Sequence, residues 1–430
     1  MSSRAKRGIA IIPVERPSFE TIAIPRLRAR NDNLSARVSR SLACWLGMTA
    51  VVVSTGQAQA PDHDYTVLVA SEAVDLITRI TFGPGAGPAL VKVEGTTKVG
   101  INPVDPDGPH GLGLSPNAQQ YYVSTAHGVP YGYLWKIDAK TNEVLGNVEL
   151  GNFPATLQVS PDGGFVYVVN FNLHGEMVPS DVSVVSTDPF VEVARIQTCT
   201  MPHGSRLNPA GTKHYSACMM DDAVVEIDTR TLAVARYFVL KKGSEKGLSG
   251  APHGQGEPGT GNREPSDHSG HGMEPPKPGD VSCSPTWAQP SADGRGVFIA
   301  CNKANDIVEI DVASWTMKRR IPAGDGVYNL AVTRDGKLLV GTNKRGKSVS
   351  IIDIASGKEL ARVATQRKVV HGVAISGDDR YAFISVEGIG SEPGTVEMID
   401  LKTFTRVASA DVGQMAGGID VVGGGSQALR

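Results

Sequence analysis

The sequence lacks the short motifs that would place it in a known class of enzyme. It has no Gly-x-Ser-x-Gly elbow, no His-Glu-x-x-His, no glycine-rich phosphate loop, no Cys-x-x-Cys zinc pair and no Cys-x-x-Cys-His for covalent haem. These absences exclude elbow-type serine hydrolases, that class of zinc protease, P-loop nucleotide chemistry and c-type haem attachment. Charge is also sparse, at 20% of residues, and no helical period of useful length follows residue 60. Long solvated helices are excluded with it. What the chain has instead is 49 Gly and 27 Pro in 430 residues, a balance that predicts many short strands joined by tight turns. A length of 430 suits two to three ordinary domains or one large closed all-β domain, so internal repeats decide between them.

The first 60 residues read as a targeting segment with an N-terminal extension. Arg37 and Arg40 precede an apolar run over 42–53, and Ser54 to Ala60 end in the small-x-small pattern a signal peptidase accepts, which predicts cleavage after Ala60. A run of a dozen residues is too short for a helix of ~20 residues to cross a bilayer. Cys44 opens the run rather than following it, which argues against lipidation. Nine basic and three acidic residues lie before Pro61, leaving 33 basic and 41 acidic residues after it, a net of −8. That charge predicts no binding to nucleic acid or an anionic membrane surface, and export predicts a periplasmic or secreted protein with no membrane span after signal cleavage.

From residue 109 one pattern recurs: a strand opening, a Ser-Pro-Asp-like turn, a Tyr/Val strand, an Ile-Asp strand and a final Val/Arg strand. The turns are Ser115-Pro116-Asn117, Ser160-Pro161-Asp162, Asn208-Pro209-Ala210, Ser291-Ala292-Asp293, Thr333-Arg334-Asp335 and Ser376-Gly377-Asp378. Their spacings, 42 to 48 residues apart from one of 83, are those of propeller blades. Asp138, Asp228, Asp311, Asp353 and Asp400 end the Ile-Asp strands and are expected to brace turns. A seventh blade is assembled from 65–70, 75–80 and 90–93 with 417–422 as its innermost strand. The expected fold is all-β: a seven-bladed β-propeller over 61–430, with four-stranded antiparallel blades, closed by pairing of its N- and C-terminal strands. Through Tyr167-Val168-Val169-Asn170 after Ser160-Pro161-Asp162-Gly163, the chain resembles the YVTN-type propellers, akin to those of cytochrome d1 and nitrous oxide reductase. The resemblance implies architecture rather than activity, because that fold hosts surface proteins and redox enzymes alike.

The 83-residue spacing holds an insertion over 241–282, rich in Gly, Pro and His, which is expected to be disordered and to sit outside the ring. It carries His268, His271 and Met273, a His/Met cluster of the kind that captures copper.

Blade topology puts the loops after second strands and those between blades on one face, where eight of the ten histidines fall. His110, His203 and His371 each precede a glycine at equivalent strand openings, with Pro154, Thr286, Tyr328 and Gly417 at the same place in other blades. Three imidazoles meeting at the channel mouth form a candidate site for a metal, with copper or haem both open; the alternative is a His-Gly pair that merely fits a crowded axis. Cys199 and Cys218, and Cys283 and Cys301, flank hairpin turns, which predicts two disulfides. The reading that follows is an exported binding or scaffold propeller that presents a His-rich channel mouth to a metal, a small ligand or a redox partner protein. An oxidoreductase with a metal or haem at that mouth is the alternative.

Overall fold

The computed structural model describes residues 59–422 apart from 86, 103, 128–130 and 254–278, with only the backbone at 88 and 89. Residues 1–58 of the expected targeting segment, the His268, His271 and Met273 expected to capture copper, and most of the insertion lie outside the described residues.

Seven antiparallel sheets form the blades of a β-propeller. Blade 1 is the composite one: Ala416–Val421 is its inner strand and pairs with Tyr65–Ser71, which continues through Leu76–Phe82 to Val91–Lys98. This closure leaves the ring without an open seam. The inner strands of blades 2 to 7 are Pro109–Leu114, Pro154–Val159, Pro202–Leu207, Pro285–Pro290, Val327–Val332 and Val370–Ile375. Core side chains interlock between neighbouring blades, as where Tyr65 and Phe82 of blade 1 pack on Tyr381 and Phe383 of blade 7.

The repeated polar residues are braces. The Ser160 hydroxyl accepts from Phe165 N while Asp162 accepts from Gly164 N, and the pattern recurs at Ser115, Ser291, Thr333 and Ser376. The strand-end aspartates do the same for the next turn, Asp138 accepting from the backbone of Lys140 and Thr141 and Asp228 from Arg230 and Thr231. These carboxylates have a structural duty and are not a catalytic set.

The start of the insertion differs from expectation. Lys246–Ser249 pairs with Ala233–Val239 as a fifth strand of blade 4. No apolar alternation announces this strand, because an edge strand can be held by backbone pairing and by ions alone. Glu245 accepts from Arg320 at 2.7 Å, and the same guanidinium reaches Asp306 at 2.9 Å and Leu240 O at 2.9 Å. Deleting 254–278 is expected to leave the melting temperature unchanged. Starting the deletion at residue 244 breaks this half-buried ion cluster and should cost roughly 3 kcal/mol, measured by urea unfolding. Equal stability of the two deletions would show that the strand adds nothing.

Candidate functional site

The site is built by equivalence. The second residue of each inner strand forms the top layer of the channel: Gly417, His110, Ala155, His203, Thr286, Tyr328 and His371, in blade order. In blade 3 the position belongs to Ala155 rather than Pro154, because the strand register pairs Pro154 with Asn170 one residue earlier. The His-Gly pairs divide into two roles. A Cβ on Gly111, Gly204 or Gly372 would stand 2.1, 2.3 or 2.7 Å from a backbone carbonyl of the next blade, so the glycines answer to crowding. Crowding does not demand the histidines, since Thr286 and Tyr328 fill the same layer without a following glycine.

The three imidazoles do meet. His110 lies 5.3 Å from His371 and 6.1 Å from His203 between ring centroids, and Tyr328 closes the group at 4.9 Å from His371 and 5.3 Å from His203. Burial holds His203 down at about 3, so the ring is neutral. Its Nδ1 faces Thr286 O at 2.9 Å, and a carbonyl can only accept, so Nδ1 carries the proton. Nε2 then accepts from the Tyr328 hydroxyl at 3.0 Å. Both nitrogens of His203 are thus engaged within the protein. Burial also holds His371 well below the usual imidazole range. His371 Nδ1 and His110 Nε2 are buried with no hydrogen-bond partner in the protein.

A ring of charge sits just above. Glu72 Oε2 accepts from His110 Nδ1 at 3.0 Å, and its other oxygen meets His127 Nε2. Burial alone would raise the Glu72 carboxyl, yet His110 and then His127 outweigh it and keep the group well below the ordinary carboxylate range. The same contact raises His127. Lys344 pairs with Glu387 at 2.9 Å and lies 4.3 Å from the centre of the Tyr328 ring. Against the downward pull of burial, Tyr328 and Glu387 push the ammonium up to about 12.

Above this floor opens a cup of about 680 Å³. Its wall is mostly apolar, with Phe153, Phe171, Leu173, Met219, Ile389 and Met415 lining it, and is interrupted by Asn302, Arg345 and Lys368. Part of the wall is strained. The residue before each inner strand is left-handed in all seven blades, and glycine takes the place in blades 2 and 6, at Gly108 and Gly326. Elsewhere it is Phe153 (φ 54°), Met201, Ser284, Val369 (φ 65°) and Met415 (φ 56°). Bulky side chains in that region cost on the order of 1–2 kcal/mol each.

Sequence reasoning found the histidines and missed Glu72, Lys344 and Glu387. A signal existed. Each of these is the first residue after a second strand, in the series Glu72, Ala126, Phe171, Met219, Asn302, Lys344 and Glu387. Of the remaining histidines, His174 packs beside His127 and Phe153, while His253 bonds Asp221 at 2.8 Å. Among the described residues no group of three or more His, Cys, Asp or Glu side chains is arranged to hold a metal ion.

No protein-family model matches the chain, and no curated protein sequence matches it. Solved structures do. The chain is similar to hydrazine synthase of Kuenenia stuttgartiensis, at 20% identity and a TM-score of 0.56 over 74% of this chain and 90% of that one. It is also similar to a functionally unknown protein from Desulfotomaculum acetoxidans, at 12% identity and a TM-score of 0.59 over 84% and 99%. At these identities the likeness is one of fold.

Proposed function

We propose that this chain is a binding propeller of an oxidising compartment outside the cytoplasm, periplasmic or secreted. Its cup takes a small organic ligand with an apolar body and an anionic or hydrogen-bonding end. The single observation that carries the reading is the wall. Phe153, Val369 and Met415 hold left-handed backbone where blades 2 and 6 use glycine, so large apolar side chains are kept there against a conformational cost. Lys344 and Tyr328 on the floor supply the polar end with a cation and a hydroxyl, in the pattern of apolar pockets with a few placed polar groups. No catalytic step is assigned. The two disulfides fit an oxidising compartment.

The probe is 1-anilinonaphthalene-8-sulfonate, an aromatic body with one anionic end, followed by fluorescence titration. Lys344→Gln is expected to weaken binding about tenfold or more, the loss of one charge-assisted hydrogen bond. Val369→Gly relieves strain, so its melting temperature should hold or rise while the probe binds more weakly. Unchanged affinity in both variants would overturn the reading.

A second reading rests on the unpartnered nitrogens of His110 and His371. Two neighbouring imidazole nitrogens of this kind suit Cu(I) or Cu(II), with His203 joining only by releasing Tyr328. Copper titration of wild type against a variant with His110, His203 and His371 all replaced by Ala decides it. Equal stoichiometry and affinity would remove the channel mouth as a copper site.

A further inference from the structure

Deeper in the channel a second layer repeats the logic of the first. The fifth residue of each inner strand is, in blade order, Asp420, Gly113, Gln158, Arg206, Gln289, Ala331 and Ala374. The layer therefore has one cation, one carboxylate and two amides, with Arg206 flanked by both glutamines and Asp420 three blades away. Small cavities of about 30, 30 and 50 Å³ all touch Arg206, and the largest opens on the face opposite the cup. Each has room for a small anion or a few waters.

The groups around Arg206 are donors in want of an acceptor. Its Nη1 donates to Ser205 O at 2.8 Å and reaches Leu157 O at 3.5 Å, and among the described residues no acceptor lies within hydrogen-bond reach of Nε or Nη2. Among the described residues the guanidinium makes no ion pair, and Asp420 is the charge that acts on it at longer range. The plane stacks 4.3 Å from the centre of the Trp287 ring, and Trp287 Nε1, a donor only, is buried without a partner. The Gln158 oxygen accepts from Leu207 N at 2.6 Å, which leaves its amide N–H groups for the channel. Asp420 is the opposing charge, and its two oxygens already accept from Leu114 N at 2.9 Å and Val421 N at 2.8 Å. Asp420, which makes no direct ion pair with it, only partly offsets the cost of taking this cation out of water, and burial pulls Arg206 down to about 10.

We propose that the axial channel holds a small inorganic monoanion of the halide or nitrate class at Arg206, with the Gln158 amide as a further donor. The site is separate from the cup and does not depend on what the cup binds. Water alone would serve the donors without neutralising the charge, and it is the competing outcome.

Two measurements test it on the full chain. Crystals grown with bromide in place of chloride should show an anomalous peak at Arg206 inside the channel. In solution, chloride and nitrate should raise the melting temperature above that in gluconate at equal ionic strength, because gluconate is too large to enter. The chloride affinity read from that shift should weaken at least about tenfold in Arg206→Met. It should also be lost in Gln158→Glu, which keeps the arginine and the bond from Leu207 N but puts an acid where the amide donates, so the test survives if Arg206→Met fails to fold. No bromide at Arg206, or the same chloride response in wild type and Gln158→Glu, would overturn the proposal.

Discussion

Acidification from pH 7 to 5 is expected to strip roughly 5 kcal/mol from the folding stability, far more than a propeller with surface histidines would lose. The cause is three imidazoles that fold neutral. Burial holds His203 and His214 at about 3 and His371 well below the usual range. In the unfolded chain each titrates near 6.5. A basic group whose folded pKa is depressed costs nothing above the unfolded value. Below it the unfolded chain takes up protons that the native state refuses, so stability falls from about pH 6.5 until the folded groups themselves protonate. At pH 5 each histidine accounts for about 2 kcal/mol. His127 acts in the opposite sense, because Glu72 raises it and its contact strengthens as it protonates. Glu72 is held low, so its own contribution, present above the ordinary carboxylate range, is lost only at more acidic pH. Urea unfolding across this range gives the slope, and His214 gives the control. It is fully buried, stacks 5.1 Å from Tyr167 and has no hydrogen-bond partner on either nitrogen. His214→Phe should therefore be neutral or stabilising at pH 7 and remove about a third of the acid loss. A flat profile in the wild type would mean that these rings are hydrated and titrate normally.

That the fold could be read from the chain and the cup could not has a physical reason. Blade architecture is written six times in turns of the Ser-x-Asp kind and five times in Ile-Asp strand ends, and their hydrogen bonds recur in nearly every copy, so an error in one blade is corrected by the others. The top layer was readable wherever the residue was a histidine in a repeated His-Gly frame. Glu72 and Lys344 sit in the same loops but in no repeated pair, and their roles arise from partners in other blades: Glu72 of blade 1 meets His110 and His127 of blade 2. Arg206 was invisible for a related reason. A single arginine in a strand reads as a solvated position, and only the ring places it opposite Asp420 and between two glutamines. The wall was hidden most fully, since no sequence rule says that Phe153 and Val369 stand where the backbone favours glycine.

The cysteines give the second large effect, and their placement ties stability to the cup. Cys199 bonds Cys218 and Cys283 bonds Cys301, with Cα separations of 5.8 and 4.4 Å. The pairs do not face directly across a hairpin. Cys218 lies opposite Pro202 and Cys301 opposite Pro285, so each bridge ties the chain entering a blade to the end of that blade's second strand. Met219 and Asn302, both of which line the cup, follow directly on Cys218 and Cys301. The closed loops span 19 and 18 residues, for which the chain-entropy relation gives about 3 kcal/mol each. The bridges sit in different core clusters, so the two contributions should nearly add. Replacing all four cysteines by alanine is expected to cost roughly 6 kcal/mol in urea unfolding. Because all four are fully buried, a reductant should leave the native protein oxidised and act only as it unfolds. Opening the bridges also frees the Met219 and Asn302 loops, so the sulfonate probe should bind the cysteine-free variant more weakly even where it is still folded. If that variant kept full stability, the bridges would be incidental to the ring; if it lost stability but bound the probe as before, the cup would be held by the blades alone.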